Sequence, residues 1–151
     1  MKIGIIGAGS WGTALANLLA GNGHDVCIWD VDPGLLKEIE QTRENKKYLP
    51  GRKVPESVVI VDTQENCVKD ADIVVTAVPS QHFRSALSLA LPYISEDAII
   101  VNVSKGIELG SLMTLSEIAL EIAPSRRYII LSPRAAVFRS CVTITTLWPF
   151  A

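Results

Sequence analysis

The sequence predicts an α/β fold built on a doubly wound parallel sheet with helices on both faces. Three observations predict it. Short apolar runs alternate with segments of helical period along residues 1–131. A Gly-x-Gly-x-x-Gly turn joins the first run to the first helical segment. The fourth run, residues 72–78, is almost unbroken apolar and β-branched, as in a strand buried on both faces.

Each element follows from its local pattern. Residues 2–6 read as a strand. Residues 11–22 repeat apolar side chains at helical spacing (Trp11, Leu15, Leu18, Leu19) and stop at Gly21-Asn22-Gly23. Residues 25–29 form a second strand, and 34–41 a short helix with Pro33 in its first turn. Residues 42–55 are polar and turn-rich, a long connection of the kind that is functional or mobile. A third strand is expected at 58–61, then a helical turn at 64–69 capped by Asp62 or Thr63. Pro79 ends the fourth strand, and Ser80 is expected to cap a helix reaching Ala90. The fifth strand falls at 98–103, a helix with an apolar stripe at 111–122, and the sixth strand at 128–131.

Composition narrows the function classes. The chain has 151 residues, 48% hydrophobic and 20% charged, enough apolar material for one domain core and too much for disorder. The net charge is -2 with no basic block, which argues against nucleic acid as a partner. No run of 18 apolar residues suits membrane insertion. The first apolar run breaks at glycines too soon for a secretion signal. Cys27, Cys67 and Cys141 lack metal-ligand spacing, so no metal is expected; they read as reduced thiols of a cytoplasmic protein.

The chemistry is expected at the carboxyl ends of the strands. In Gly7-Ala8-Gly9-Ser10-Trp11-Gly12, Gly7 makes the tight turn. Gly9 lets the backbone approach a pyrophosphate, and Gly12 lets helix and strand pack closely. This Rossmann-type arrangement offers the N–H groups and dipole of a helix start to a dinucleotide. Asp30, at the end of the second strand, can accept hydrogen bonds from ribose hydroxyls and would repel a 2′-phosphate. No Arg or Lys stands at 31–36 to bind one. NAD(H) is therefore favoured, with NADP(H) as the alternative; Asp30 or Asp32 serving only as a helix cap competes with the ribose role. Pro79 and its neighbours after the fourth strand, and Ser104-Lys105-Gly106 after the fifth, meet the glycine loop there. Lys105 is a cation placed where a substrate anion could lie. His82 and His24 are read as surface and turn residues. Nothing suggests hydrolysis.

Several segments in order resemble bacterial NAD(P)-dependent glycerol-3-phosphate dehydrogenase: residues 7–16, Asn22-Gly23-His24, Trp29, Tyr48-Leu49-Pro50-Gly51, Ala77-Val78-Pro79-Ser80 and Ser104-Lys105-Gly106-Ile107-Glu108. The same motifs favour this family over ketopantoate reductases and other β-hydroxyacid dehydrogenases. The resemblance implies hydride transfer between nicotinamide and dihydroxyacetone phosphate or sn-glycerol 3-phosphate, in the service of phospholipid synthesis. It implies that Ser10 and Trp11 line the cofactor site and that Lys105 contacts cofactor and substrate. It covers 1–132. Beyond Ser132 the family's Gly-Pro-Ser-Phe-Ala is replaced by Pro133-Arg134-Ala135-Ala136-Val137-Phe138. Residues 133–151 are therefore expected to be a non-family tail, from a frameshift or truncation. The helical second domain with its general-acid lysine is expected to be absent, leaving cofactor binding with little turnover. A bare domain face would favour self-association. The competing reading is a dinucleotide-binding fragment without catalysis.

Overall fold

The computed structural model describes residues 1–133 and 142–147. Its strands are β1 (Lys2–Ile6), β2 (Asp25–Trp29), β3 (Val58–Ile60), β4 (Ile73–Thr76), β5 (Ile99–Asn102), β6 (Arg127–Pro133) and β7 (Val142–Leu147). The helices are α1 (Ser10–Gly21), α2 (Pro33–Thr42), α3 (Gln64–Val68), α4 (Ser80–Ala90) and α5 (Leu115–Ile122). The strands form one sheet in the order β3-β2-β1-β4-β5-β6-β7. The first six pair in parallel, and β7 runs antiparallel to β6. The expected doubly wound parallel sheet is present, and part of the expected tail adds a strand to its edge.

Alternation of side chains across the strands produces two cores. On one face Ile6, Val74 and Ile100 pack with Phe83 and Leu87 of α4 and Ile118 of α5. On the other, Ile5, Ile28 and Val75 pack with Ala16 of α1 and Leu35 and Ile39 of α2. Val74 and Val75 are adjacent yet belong to opposite cores, which is why the fourth run carries no polar alternation. Phe83 is fully buried and meets Tyr128 edge-on, with ring centroids 6.5 Å apart. Among the described residues no helix is long and apolar enough to cross a membrane.

Two helix starts differ from expectation. Ser80 does not cap α4. Extended Pro79 (φ -57°, ψ 144°) takes the cap position, so Ser80 already lies inside the helix. The last helix starts at Leu115 and not at residue 111, because Gly110 (φ 95°) and Leu112 (φ 58°) are left-handed. Thr63, and not Asp62, caps α3. Residues 134–141 and 148–151, which include Cys141 and most of the expected break in the family pattern, lie outside the described residues.

Candidate functional site

The strand order reverses at β1, whose neighbours are β2 and β4. Open α/β sheets place ligands in the crevice at the carboxyl ends of such a pair. A cleft of about 730 Å³ lies there.

The glycine loop forms one wall. Gly7 adopts φ +109°, and a Cβ on it would fall 2.5 Å from the Ala77 carbonyl oxygen. Gly12 lies beneath the loop; a Cβ there would fall 1.9 Å from the Gly7 carbonyl oxygen. Gly9 is the opposite case. A Cβ at Gly9 would meet no protein atom within 4 Å, so the space above it is open cleft. As the N-cap of α1, Gly9 offers no side-chain acceptor, and the first turn contains no acidic residue. The start of α1 therefore presents N–H groups and a positive dipole end to the cleft. Ser10 and Trp11 continue the wall, with Trp11 half-exposed.

Asp30 joins this loop to β2. Its Oδ2 accepts from the Ala8 N–H at 2.6 Å, and its Oδ1 from the Asp32 N–H at 3.0 Å. Each carboxylate oxygen keeps a lone pair for a ligand hydroxyl. Asp32 caps α2 by accepting from the Gly34 and Leu35 N–H groups. Those bonds, with Lys47 3.4 Å away, hold its carboxyl below the usual range. Lys47 is a cation that a search of residues 31–36 misses, because it arrives from the long connection.

The opposite wall comes from the ends of β4 and β5. Buried Thr76 donates to Asn102 Oδ1 at 3.2 Å, and the Ser104 N–H donates to the same oxygen at 2.8 Å. Ser104 Oγ accepts from the Val78 N–H at 3.1 Å. This network fixes the two strand ends side by side. Pro79 lines the cleft and turns the chain into α4, which has no side-chain cap either. From α4, His82, Ser85, Ala86 and Leu89 face the cleft. Their spacing is that of one helix face, a signal the sequence carries; His82 is exposed, as expected, and stands at the cleft wall.

Of the residues singled out from sequence, Gly7, Gly9, Ser10, Trp11, Asp30 and Pro79 meet on this cleft. Gly12 packs below it. Lys105 lies exposed beside Ser104, on the turn at the rim, and is not part of the wall. The following turn is pinned to α4. Gln81 donates to the Ile107 carbonyl and accepts from the Leu109 N–H. Arg84 pairs with Glu108 and Glu121, each at 2.9 Å. Sequence reading missed Asn45, which is buried against the glycine loop, and it did not assign Tyr48 to the cleft.

A parallel sheet with a glycine loop at its switch point defines a Rossmann-type domain whose cleft suits a dinucleotide. The family model described as "NAD-dependent glycerol-3-phosphate dehydrogenase N-terminus" matches residues 2–138, and the chain belongs to this family. It is 46% identical over 134 residues to glycerol-3-phosphate dehydrogenase [NAD(P)+] of Carboxydothermus hydrogenoformans, covering 87% of this chain and 40% of that protein. It is 49% identical over 125 residues to the enzyme of that name from Chlorobium phaeobacteroides (strain BS1), covering 83% and 37%. Among solved structures, glycerol-3-phosphate dehydrogenase from Coxiella burnetii superposes with a TM-score of 0.81 at 29% identity, over 87% of this chain and 40% of that one. The chain thus spans about two fifths of the length of these relatives.

Proposed function

We propose that this chain binds a nicotinamide dinucleotide in the β1/β4 cleft and forms the coenzyme half of a glycerol-3-phosphate dehydrogenase. The observation that carries the reading is the contrast among the glycines. Gly7 and Gly12 are excluded from bearing side chains by protein atoms, whereas above Gly9 lies open cleft, which we read as ligand space. The cleft volume of about 730 Å³ falls in the range of cofactor sites.

In this reading the first-turn N–H groups of α1 hold the diphosphate, Asp30 accepts from ribose hydroxyls, and Ser10, Trp11 and Pro79 wall the site. Lys105, free of any ion pair among the described residues, reaches from the rim toward substrate phosphate and coenzyme. The bound coenzyme supplies the hydride exchanged with dihydroxyacetone phosphate or sn-glycerol 3-phosphate. The residues of this chain bind, orient and exclude water. NAD(H) is preferred over NADP(H). A 2′-phosphate beside Asp30 would meet the Asp32 carboxylate as well, and Lys47 is already engaged with Asp32.

By the resemblance, the general-acid lysine belongs to the part of the relatives that these residues do not span. A general acid supplies about 10²–10⁴-fold. The 151-residue chain assayed by itself is therefore expected to bind coenzyme and to turn over far below ~1 s⁻¹.

Fluorescence titration with NADH and NADPH tests the reading. NADH should bind at least ~10-fold more tightly than NADPH, about 1.4 kcal/mol. Equal affinities would remove the role of Asp30, and failure of both to bind would remove the site.

A further inference from the structure

Asn45 lies in the long polar connection between α2 and β3, yet it is fully buried. Its side-chain NH2 is engaged by the glycine loop and the first turn of α1, and its side-chain oxygen by the connection itself. Its Nδ2 donates to the Ala8 carbonyl oxygen at 2.7 Å and to Thr13 Oγ1 at 2.8 Å. Its Oδ1 accepts from the Tyr48 N–H at 3.0 Å. Thr13, itself buried, closes the triangle by donating its hydroxyl to the same Ala8 carbonyl at 3.2 Å.

The consequence follows from peptide geometry. The Ala8 carbonyl and the Gly9 N–H belong to one planar trans unit, so they point in opposite directions. Asn45 and Thr13 draw the carbonyl inward. The Gly9 N–H is thereby turned outward, on the side where Gly9 lines the cleft. The preceding N–H, that of Ala8, is held separately by Asp30. The loop is fixed at both ends of Ala8, and the next donor, the Gly9 N–H, has no partner among the described residues. Through Oδ1 the same amide also fixes the backbone of Tyr48, whose side chain reaches the cleft. The connection is itself braced, with Arg43 donating to the Pro55 and Val58 carbonyls and Glu44 accepting from the Gly51 N–H.

We infer that Asn45 is a positioning residue for dinucleotide binding: it aims the Gly9 N–H into the cleft and couples that setting to the placement of Tyr48. The inference rests on the dinucleotide reading above. It assigns the long connection a role beyond covering the loop, since one side chain sets both the floor donor and a wall residue.

The test is an NADH titration of the full chain, followed by fluorescence and run well below every thermal midpoint. Asn45→Ala should bind NADH about tenfold more weakly or worse, the effect of losing an oriented donor. Thr13→Val, which deletes one hydroxyl and keeps the shape, should lose affinity severalfold, and Thr13→Ser should recover it. Ile118→Val in α5, buried in the opposite core, is the stability control; its midpoint should fall with no change in NADH affinity. If Asn45→Ala does not fold, the Thr13 pair decides. Wild-type protein that binds neither NADH nor NADPH overturns the dinucleotide reading and this inference with it. Wild type that binds, with Asn45→Ala or Thr13→Val binding equally well, overturns the positioning role alone. Affinity losses that follow thermal midpoint across all variants, the control included, also overturn it.

Discussion

The helices α1 and α5 lie on opposite faces of one sheet, but they begin in opposite ways. At α5, Thr114 Oγ1 accepts from the Glu117 N–H while Glu117 Oε2 accepts from the Thr114 N–H at 2.7 Å, a closed capping box. Asp32 closes α2 and Thr63 closes α3 by the same logic. At α1 the cap is a glycine, and at α4 a proline; neither supplies an acceptor. Both of these open starts face the cleft; of the three closed ones, those of α2 and α5 are not part of its wall, while α3 reaches it through its first residue, Gln64. Helix starts normally satisfy their first N–H groups with their own side chains. In this molecule the starts of α1 and α4 lack a side-chain acceptor, and both border the cleft. On the proposed reading, the open starts serve binding and the capped ones serve stability.

The largest expected effects come from breaking this contrast at the glycines. Gly12→Ala puts a Cβ against the Gly7 carbonyl, so backbone must move. It should lower stability by about 1–3 kcal/mol, as overpacking does, and abolish NADH binding with it. Gly9→Ala adds the same methyl to open space at an unstrained φ of -68°. Its stability should fall little, by about 1 kcal/mol at most, while NADH affinity falls ~10-fold or more. Paired thermal melts and titrations read both quantities. A Gly9→Ala protein that binds normally would show that the open space above the loop is not ligand space.

The same glycines show what was legible in the sequence. Their spacing and their position between a strand and a helix carry the loop, and apolar period carries all six parallel strands. β7 was legible only in part. Its residues, Val142–Leu147, are almost all β-branched and carry a local strand signal, but they stand beyond the break in the family pattern and read as tail. The early end of the region before α5 was hidden for another reason: residues 111–114 have helical composition, but Leu112 is left-handed and Ser111 Oγ is drawn to Glu108 at 2.6 Å. Asn45 and Lys47 sit in a polar stretch that reads as solvated loop. Their importance comes from partners 37 and 15 residues away, Ala8 and Asp32. Local pattern finds elements and turns; it does not find which polar side chain of a long connection folds back onto the site.

Smaller effects are expected at the closed end of the comparison. Thr114→Ala should destabilise by about 0.5–2 kcal/mol, as loss of a cap does, and leave NADH affinity unchanged. Its pH dependence sharpens the point. Hydrogen bonds from the Thr114 N–H and hydroxyl hold the Glu117 carboxyl below its usual range, and Arg84 does the same for Glu108. A carboxyl lowered by folding stabilises the protein above its unfolded value of about 4.3. That contribution is lost as pH falls through the lower folded value. Wild type should therefore lose thermal stability on acidification below about pH 4. Thr114→Ala, with one of the two Thr114 bonds to Glu117 removed, has less to lose. The gap between the two midpoints should narrow between neutral and acid pH. A constant gap, or a drop in NADH affinity in Thr114→Ala, would mean that the closed helix start is not independent of the open one.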